Sequence, residues 1–558
     1  MFVRLHRQRH GGREYTSVHL CESYRDLEKG GKPRSRVIAN LGPIEKLGMD
    51  AVRNLASGFS RIAGEQRSAG APAPRLLCPK DFGHVFAVAE MWRGLGLSAI
   101  LSRAGIEGET TFPTADLVQL MVVNRLCDPC SKLALLEWLD GVYFPGYEES
   151  KPPYHHLLRA MDRLIAVKEK AELLVAKRFL SLREGPVDLV FYDITSTYFE
   201  GDKSLLEDDI RKFGYNRDGK LDCRQIVIGI VMTRDGIPLC HHVFPGNTVD
   251  KSTVVSVIRD LKSRFRLDRV VFVGDRGMLS EDNLETILDE ELGFIVAHTL
   301  RRNAVAAEVI EELGGRFDRT REEEQFLSDE RTTLRFVLAY SSEIARTVRA
   351  ERTTRLSLAD AFIENALHRL SNPSPRGRKP TPQGTYDRIR DYLRDHHLMS
   401  LYQIAIEDDR VMVRPNGKTR SWEEKIDGML LVETTDLSSP PKEIIHRYKE
   451  LAEIERGWRA LKSSLLLRPV HHWTEDRIKA HVFICVLALQ IERLMRNRLQ
   501  TLSVRKALDR LRRIKVGEMR VGDTSTLLPS EATAEQKEIL RELGVPPLPA
   551  ALRGKCSV

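Results

Sequence analysis

The sequence has few cysteines and no long apolar run, and these shortages exclude several classes of protein. Its 558 residues include 8 cysteines, and the one close pair, Cys127 and Cys130, has no second pair to complete a four-ligand zinc site. The longest apolar stretch, Ala480 to Ile491, is shorter than the roughly 20 residues of a membrane span. No apolar run of signal-peptide length follows Met1. We therefore expect reduced cysteines, a cytoplasmic protein without a membrane partner, and a buried helix at the apolar stretch.

Length and charge bound the number of domains and the class of partner. A chain of 558 residues is too long for one hydrophobic core, so roughly two to four domains are expected. The apolar fraction of 42% and the charged fraction of 30% are ordinary for a globular protein, which excludes a fibrous or wholly disordered chain. A net charge of +8 and a pI near 9.0 modestly favour a polyanionic partner.

The first half of the chain changes pattern twice. Short alternating segments broken by glycine pairs predict a small basic β-rich unit near the N-terminus. From about Asp81 to Leu182, apolar residues recur every three or four positions, which predicts a helical domain. After Pro186 the pattern indicates strands and one helix, which together predict an α/β core. The β-type runs are 187–193, 225–232, 238–244 and 269–275, and the helix-like stretch is 252–265.

The second half alternates between helix and strand signals. Strand patterns at 401–406 and 429–434, with a Pro-rich linker at 371–382, predict an insertion with its own sheet and a basic arm at Arg376 to Lys379. Helix is expected from about Pro441 to Arg498, and a basic helix from Val504 to Lys515. The predicted units are a β-rich N-terminal unit (1–75), a helical domain (76–186), the first part of the α/β core (187–300), the β-rich insertion (301–432), the helical second part of the core (433–500), and a basic helix with a tail (501–558).

Two aspartates follow hydrophobic strand patterns. Asp193 closes Leu-Val-Phe-Tyr-Asp, and Asp275 closes Val-Val-Phe-Val-Gly-Asp. An open α/β sheet binds its ligands where strands emerge from the sheet. Either acid alone is equally well explained as a helix cap or a turn former. As a pair, their carboxylates are suited to binding hard divalent cations through oxygen.

A third acid is predicted on the helix after Pro441. Tyr448, Glu455 and Lys462 are spaced by seven residues, which returns a regular α-helix to nearly the same face. The other positions of this stripe are Leu451, Trp458 and Leu465, so the face is expected to be mostly apolar. An unpaired acid there would be costly unless a ligand compensated its charge. Glu453, two residues from Glu455, is predicted to be solvated.

In this combination of motifs the sequence resembles the DDE transposases of bacterial insertion sequences, in the group with a Tyr, Arg, Glu, Lys signature. The motifs that carry the resemblance occur in family order, and they are Tyr-Asp-Ile-Thr at 192–195, Gly-Asn-Thr-Val-Asp-Lys-Ser-Thr at 246–253, Gly-Asp-Arg-Gly at 274–277, Tyr448, Ile454-Glu455 and Leu461-Lys462. The resemblance implies an RNase H-like catalytic core with a β-rich insertion between the second Asp and the Glu.

The resemblance also implies roles for individual residues. Asp193, Asp275 and Glu455 would be catalytic and would bind two Mg²⁺ ions, or Mn²⁺ in their place. Tyr448 and Lys462 would contact DNA phosphates. Leu451 stands where the family has an Arg that binds a DNA phosphate. The contact made by that Arg is therefore assigned to no single residue here. The neighbours that could make it are Arg447, Arg456 and Arg459. Trp422, a candidate for stacking on a flipped base, is expected to pack in the ordinary way instead.

The implied activity is nicking at the element ends and transfer of the 3′-hydroxyl into target DNA. Its DNA partners would be the terminal inverted repeats of the element and a target duplex, both double-stranded. A second copy of the chain would form a homodimer with it on the DNA. The protein would be cytoplasmic and associated with the bacterial nucleoid. Two alternatives stay open: an RNase H-like nuclease without strand transfer, and a non-catalytic DNA-binding protein derived from a transposase. The candidate DNA surfaces are the helical domain, the basic arm and the helix that carries Arg505, Lys506, Arg510, Arg512, Arg513 and Lys515. Solvated basic faces without a DNA contact explain the same residues equally well.

Overall fold

The structure is a computed structural model that divides into two compact units. The residues it describes are 2–10, 13–26, 32–43, 76–148, 150–183, 189–199, 209–214, 223–265, 271–274, 281–301, 303–331, 333–374, 379–521 and 524–552. The first unit comprises Met1–Gly185, Ile194–Thr248 and Glu455–Val558. The second comprises Pro186–Asp193 and Val249–Ile454.

Strands occur in both units. In chain order they are β1 (Phe2–His10), β2 (Arg13–Asp26), β3 (Lys32–Pro43), β4 (Leu76–Asp81), β5 (Leu189–Tyr198), β6 (Gln225–Thr233), β7 (Pro238–Pro245), β8 (Val271–Gly274), β9 (Gly293–Ala297), β10 (Gln325–Glu330), β11 (Arg335–Tyr340), β12 (Tyr402–Glu407), β13 (Arg410–Pro415), β14 (Met429–Thr434), β15 (Lys515–Val521) and β16 (Thr524–Pro529).

Helices are likewise found throughout. They are α1 (Gly83–Leu95), α2 (Leu97–Ala104), α3 (Thr114–Cys127), α4 (Ala134–Gly141), α5 (Tyr154–Ala166), α6 (Lys168–Leu180), α7 (Asp250–Ser263), α8 (Glu281–Asp289), α9 (Ala304–Leu313), α10 (Ser342–Ser371), α11 (Pro382–Asp395), α12 (Gly417–Ile426), α13 (Pro441–Lys449), α14 (Ala452–Arg459), α15 (Glu475–Arg498), α16 (Val504–Leu511) and α17 (Ala534–Glu542). Residues Ala460–Ser464 form a π-helical turn.

In the first unit, helices pack around one apolar helix. The apolar stretch Ala480 to Ile491 lies in α15 and is buried along its length, as the sequence predicted. α15 packs against α3, α5 and the strand β7. β6 and β7 form an antiparallel hairpin whose turn ends at Gly236, where a φ of +73° favours glycine. Two further antiparallel sheets have the orders β1-β2-β3 and β16-β15-β4.

The second unit is built on a mixed sheet. β5 pairs in parallel with β8, from Leu189 opposite Val271 to Phe191 opposite Val273, and β8 pairs in parallel with β9. β14, β11 and β10 continue the sheet with antiparallel pairing. A separate core forms where α10 and α11 pack against the hairpin β12–β13. The predicted mixed α/β class is confirmed.

Among the described helices, none is by itself both long and apolar enough to cross a membrane. Only α1 and α2 taken together would satisfy such a test by length and composition, and they are bent by 52° relative to one another.

Candidate active site

Asp193 lies within a strand rather than at its end. The prediction that it closes the strand is wrong, because β5 continues to Tyr198. The continuation contains the β-branched residues Ile194, Thr195 and Thr197, which favour extended backbone and are buried here. Asp193 itself is half-buried.

Its neighbour Tyr192 fixes the strand to α7. The Tyr192 ring is fully buried, and its hydroxyl donates a hydrogen bond of 2.8 Å to Oγ1 of the buried Thr253. The ring also contacts Phe272 of β8, with centroids 5.7 Å apart. Successive side chains of a strand point to opposite faces, so Asp193 points away from the face that packs on α7. Thr253, the last residue of the motif at 246–253, therefore has a structural role, because it binds the hydroxyl of Tyr192.

Asp275 lies outside the described residues. The neighbouring strand β8 is described to Gly274. The parallel register of β5 and β8 ends with Phe191 opposite Val273. Asp193 and Asp275 each follow one of these partners by two residues in the sequence.

The prediction that one helix carries Tyr448, Glu455 and Lys462 is wrong. Tyr448 lies on α13, Glu455 on α14, and Lys462 in the π-helical turn. The chain leaves α-helical geometry after Lys449, where Leu451 N donates to Tyr448 O and Ile454 N to Leu451 O over three residues instead of four. The three residues therefore do not share the regular α-helix on which the prediction of a common stripe depended.

The face of α14 is nevertheless well defined. Gly457, Trp458 and Leu461 are buried, whereas Glu455, Arg456 and Arg459 are exposed. A Cβ atom built on Gly457 would lie 2.7 Å from Cε of Met232 in β6. The glycine thus permits close approach of α14 to β6, and this approach turns Glu455 outward. Glu453, predicted to be solvated, is half-buried.

The four predicted phosphate contacts differ in exposure. Arg456 and Arg459 on α14 are exposed, and Tyr448 and Lys462 are half-buried. Arg459 is four residues from Glu455, so the two side chains share one side of α14. Arg447, the other neighbour of Leu451, is paired with Asp436 at 3.0 Å and with Glu443 at 2.6 Å.

The carboxylate of Asp436 is a strong partner for Arg447. Burial raises its pKa, but hydrogen bonds from Ser439 and Ser438 outweigh that effect and lower it to about 2. Asp436 is therefore ionised at neutral pH, and Arg447 is held in a structural ion pair.

A buried arginine that the sequence analysis did not single out supports the segment carrying Lys462. Arg125 of α3 is 3% exposed, and its Nη1 donates to the carbonyl oxygens of Leu465 (3.4 Å) and Leu466 (3.1 Å). Its Nη2 donates to the carbonyl of Cys130 at 3.0 Å. Nε2 of His481 lies 3.1 Å from the carbonyl oxygen of Leu467. The sequence signal was an arginine at a helical position otherwise surrounded by apolar residues.

Some of the basic residues predicted to contact DNA elsewhere are held in ion pairs, and others are exposed. On α16, Val504, Ala507, Leu508 and Leu511 are buried. The helix ends at Leu511 and not at Lys515 as predicted, since Lys515 begins β15. Of the basic residues predicted on it, Arg510 pairs with Glu535, Arg512 with Asp81 and Asp128, and Lys515 with Asp81. Arg505, Lys506 and Arg513 are exposed. Arg376 and Arg378 lie outside the described residues.

Trp422 packs as expected. Its Nε1 donates to the carbonyl of Leu300 at 3.0 Å, and its ring lies against the core formed by α9, β11 and α12. The prediction of ordinary packing is confirmed.

Two parts of the chain match models of known protein families. Residues 188–491, somewhat over half of the chain, match the family model described as the transposase DDE domain. Residues 3–71 match the N-terminal domain of the IS1634 family transposases. No curated protein sequence matches the chain.

Proposed function

The chain belongs to the insertion-sequence transposases with a DDE domain, and on that premise we propose that it nicks DNA at the ends of its element and joins the freed 3′-hydroxyl to target DNA. Its substrates would be the terminal inverted repeats and a target duplex, held by a homodimer. The proposed core is RNase H-like, with the β-rich segment 301–432 as its insertion, and the proposed group is the one with the Tyr, Arg, Glu, Lys signature.

We assign the catalytic carboxylates to Asp193, Asp275 and Glu455. The observation that supports this assignment is the parallel register of β5 and β8, because Asp193 and Asp275 each follow one of the register partners Phe191 and Val273 by two residues in the sequence. On this sequence spacing we propose that the two acids act together. Glu455 adds an exposed acid on α14.

This donor set fits divalent metal. Three carboxylates provide only oxygen ligands, which Mg²⁺ prefers and Mn²⁺ accepts. When bound, two such ions supply activation of the attacking hydroxyl and stabilisation of the leaving oxygen. The chain's own residues hold the DNA. Arg456 and Arg459 are exposed on the side of α14 near Glu455 and are suited to phosphate binding. We assign the phosphate contact missing at Leu451 to them rather than to the paired Arg447, with Tyr448 and Lys462 as further contacts.

The test uses amide variants of the acids on a duplex that carries the element end. Asp193→Asn and Glu455→Gln should each abolish nicking in Mg²⁺ while leaving binding of the duplex intact, since both substitutions keep side-chain size. Glu453→Gln, two residues away on the same helix, is the matched control and should nick normally. Products resolved on a denaturing gel separate nicking from joining.

Undiminished nicking by Asp193→Asn would overturn the assignment. Loss of nicking in Glu453→Gln but not in Glu455→Gln would move the third acid. Nicked ends that are never joined to target DNA would refute strand transfer. Chelation of divalent metal should stop nicking by the unmodified protein without releasing the duplex.

A further inference from the structure

A basic cleft in the second unit lies among residues to which no role has been assigned. Its volume is about 320 Å³, and Arg319, Arg346 and Arg349 line it together with Ser342, Tyr340 and Glu322. The cleft is formed by the segment before β10, the end of β11 and the first turns of α10. Three arginines against one glutamate leave these side chains with a net charge of +2.

One polar side chain of the cleft is buried and unpartnered. Ser342 is 7% exposed, and within the described part of the chain its Oγ has no hydrogen-bond partner. The adjacent Ser341 is the cap of α10, because its Oγ accepts a hydrogen bond from the N–H of Ile344 at 3.3 Å. Ser342 is thus the first residue of a long helix, where the helix dipole favours negative charge. A buried hydroxyl without a partner is costly, and an anion in the cleft would satisfy it.

The arginines make few contacts, which leave most of their N–H groups available. Arg319 donates to the carbonyl of Lys425 at 3.0 Å and lies over the ring of Tyr340, 5.8 Å from its centroid. Arg346 donates from Nε to Ser342 O at 3.4 Å and lies 4.0 Å from Glu322. Nε of Arg349 is 3.9 Å from Asp427.

The long ion-pair distances of Arg346 and Arg349 contrast with a close ion pair nearby. Asp427 is already neutralised by two bonds of 2.6 Å from Arg352. Each guanidinium of the cleft has five N–H donors, so the contacts described above occupy a minority of them. Contacts within the protein therefore do not neutralise the positive charge of the three arginines.

We propose that this cleft binds a phosphate group of the DNA backbone through Arg346, Arg349 and the hydroxyl of Ser342. The side chains of Arg346 and Arg349 are 69% and 59% exposed, so the site opens outward and is accessible to a polymer instead of enclosing a small anion. The exposed carboxylate of Glu322 is the group that the phosphate would displace. This inference rests on the proposed function, because it supplies a DNA contact for that activity within the segment 301–432.

The test measures binding of a short labelled duplex of arbitrary sequence to the full chain, without divalent metal, at several salt concentrations. Each phosphate contact contributes about 0.9 to the slope of log K against log salt. The double variant Arg346→Gln/Arg349→Gln should therefore lower that slope by about 1 and weaken binding. Ser342→Ala removes no charge and should weaken binding several-fold at unchanged slope. Arg369→Gln, an exposed arginine in the last turn of α10, is the control and should leave both quantities unchanged.

Two results would overturn the inference. The first is normal duplex binding by Ser342→Ala and by the double variant, each folded by its thermal unfolding curve. The second is a double variant that binds the duplex normally but is no longer stabilised by inorganic phosphate, as the unmodified protein is. That result would show that the cleft binds a small anion and not the DNA backbone. Failure of the proposed function is distinguishable, because it appears as nicking by Asp193→Asn, an outcome that is independent of the salt slope.

Discussion

Nη1 of Arg125 donates a hydrogen bond to the carbonyl oxygen of Leu466 at 3.1 Å, and so ties α3 to the chain just beyond the π-helical turn that carries Lys462. The bond crosses 341 positions of sequence. Leu466 has a φ of +42°, a conformation that non-glycine residues rarely adopt. The buried guanidinium stabilises this irregular segment by satisfying carbonyls that a regular helix would have paired internally.

Arg125→Lys should therefore loosen the segment while keeping the charge. A lysine cannot make the forked contacts to Leu466 and Cys130 together, so we expect a loss of about 2–4 kcal/mol in the free energy of unfolding. Urea unfolding measures this loss, and nicking should fall with it if Lys462 contacts the DNA. The control is Arg159→Lys, an exposed arginine of α5. Equal stability of the two variants would contradict the anchoring role.

The hydrophobic patterns predicted the helices and strands that build the core, because an element buried in the core needs apolar residues along its length. The continuous apolar runs became β6, β8 and α15, and the strand signal at 429–434 became β14. The path of the chain after Tyr448 could not be predicted in this way. A helix break and a π-helical turn depend on partners that are distant in sequence, such as Arg125. The local periodicity of the sequence contains no information about such partners.

Gly457 allows a test of how α14 is seated. Gly457→Ala would bring its methyl group against the flexible end of Met232, and the gain in helix propensity of about 1 kcal/mol offsets the crowding. Gly457→Leu has no such room and should cost about 1–3 kcal/mol by overpacking. Thermal unfolding ranks the variants. Nicking should survive in Gly457→Ala and fall in Gly457→Leu, because Glu455 shares the helix. Equal activity of both would show that seating α14 on β6 does not position Glu455.

Glu172 organises a buried polar cluster of the first unit. It is 2% exposed and accepts hydrogen bonds from Nζ of Lys168 at 2.9 Å and from the backbone N–H of His241 at 2.8 Å, while its Oε1 lies 2.7 Å from His241 Nδ1. Burial, followed by the charge of Lys168, lowers the pKa of His241 to about 4, although Glu172 opposes this shift. The imidazole is therefore neutral at pH 7, and Lys168 balances the carboxylate.

Glu172→Ala should destabilise the protein by about 3–5 kcal/mol, since it leaves the Lys168 ammonium without its carboxylate in a largely buried position. Glu172→Gln should lose less, because the amide oxygen still accepts a hydrogen bond. Urea unfolding at pH 7 gives both values. Glu169→Gln, exposed on the same helix, serves as the reference and should change little. A loss below about 1 kcal/mol in Glu172→Ala would show that the cluster adds no net stability.

The candidate site was predicted less completely than the core. Residue types led to the prediction of Asp193 and Glu455 as site residues, because a carboxylate within a hydrophobic strand pattern or on a partly apolar helix is costly without a partner. Their surroundings were not predictable. The continuation of β5 beyond Asp193 depends on burial of Thr195 and Thr197, and the outward position of Glu455 depends on the contact of Gly457 with Met232. Both are tertiary effects that override local signals.

Lys132 provides a prediction whose sign depends on pH. It is 3% exposed. Burial, followed by the charge of Arg125, lowers its pKa from 10.5 to about 7. Between these two values the unfolded chain holds a proton that the folded chain has released. Stability therefore rises with pH through this window.

Lys132→Met removes the titrating group and keeps a flexible side chain of similar length. We expect the variant to be more stable than the unmodified protein at pH 7, with an advantage that shrinks by roughly 1.4 kcal/mol per pH unit as the pH rises toward 10. Urea unfolding at several pH values measures the difference. Lys170→Met, exposed on α6, should show no such trend. If Lys132→Met is instead less stable by a constant amount at every pH, the amine is charged in the fold and satisfied by a partner, and burial does not control its protonation.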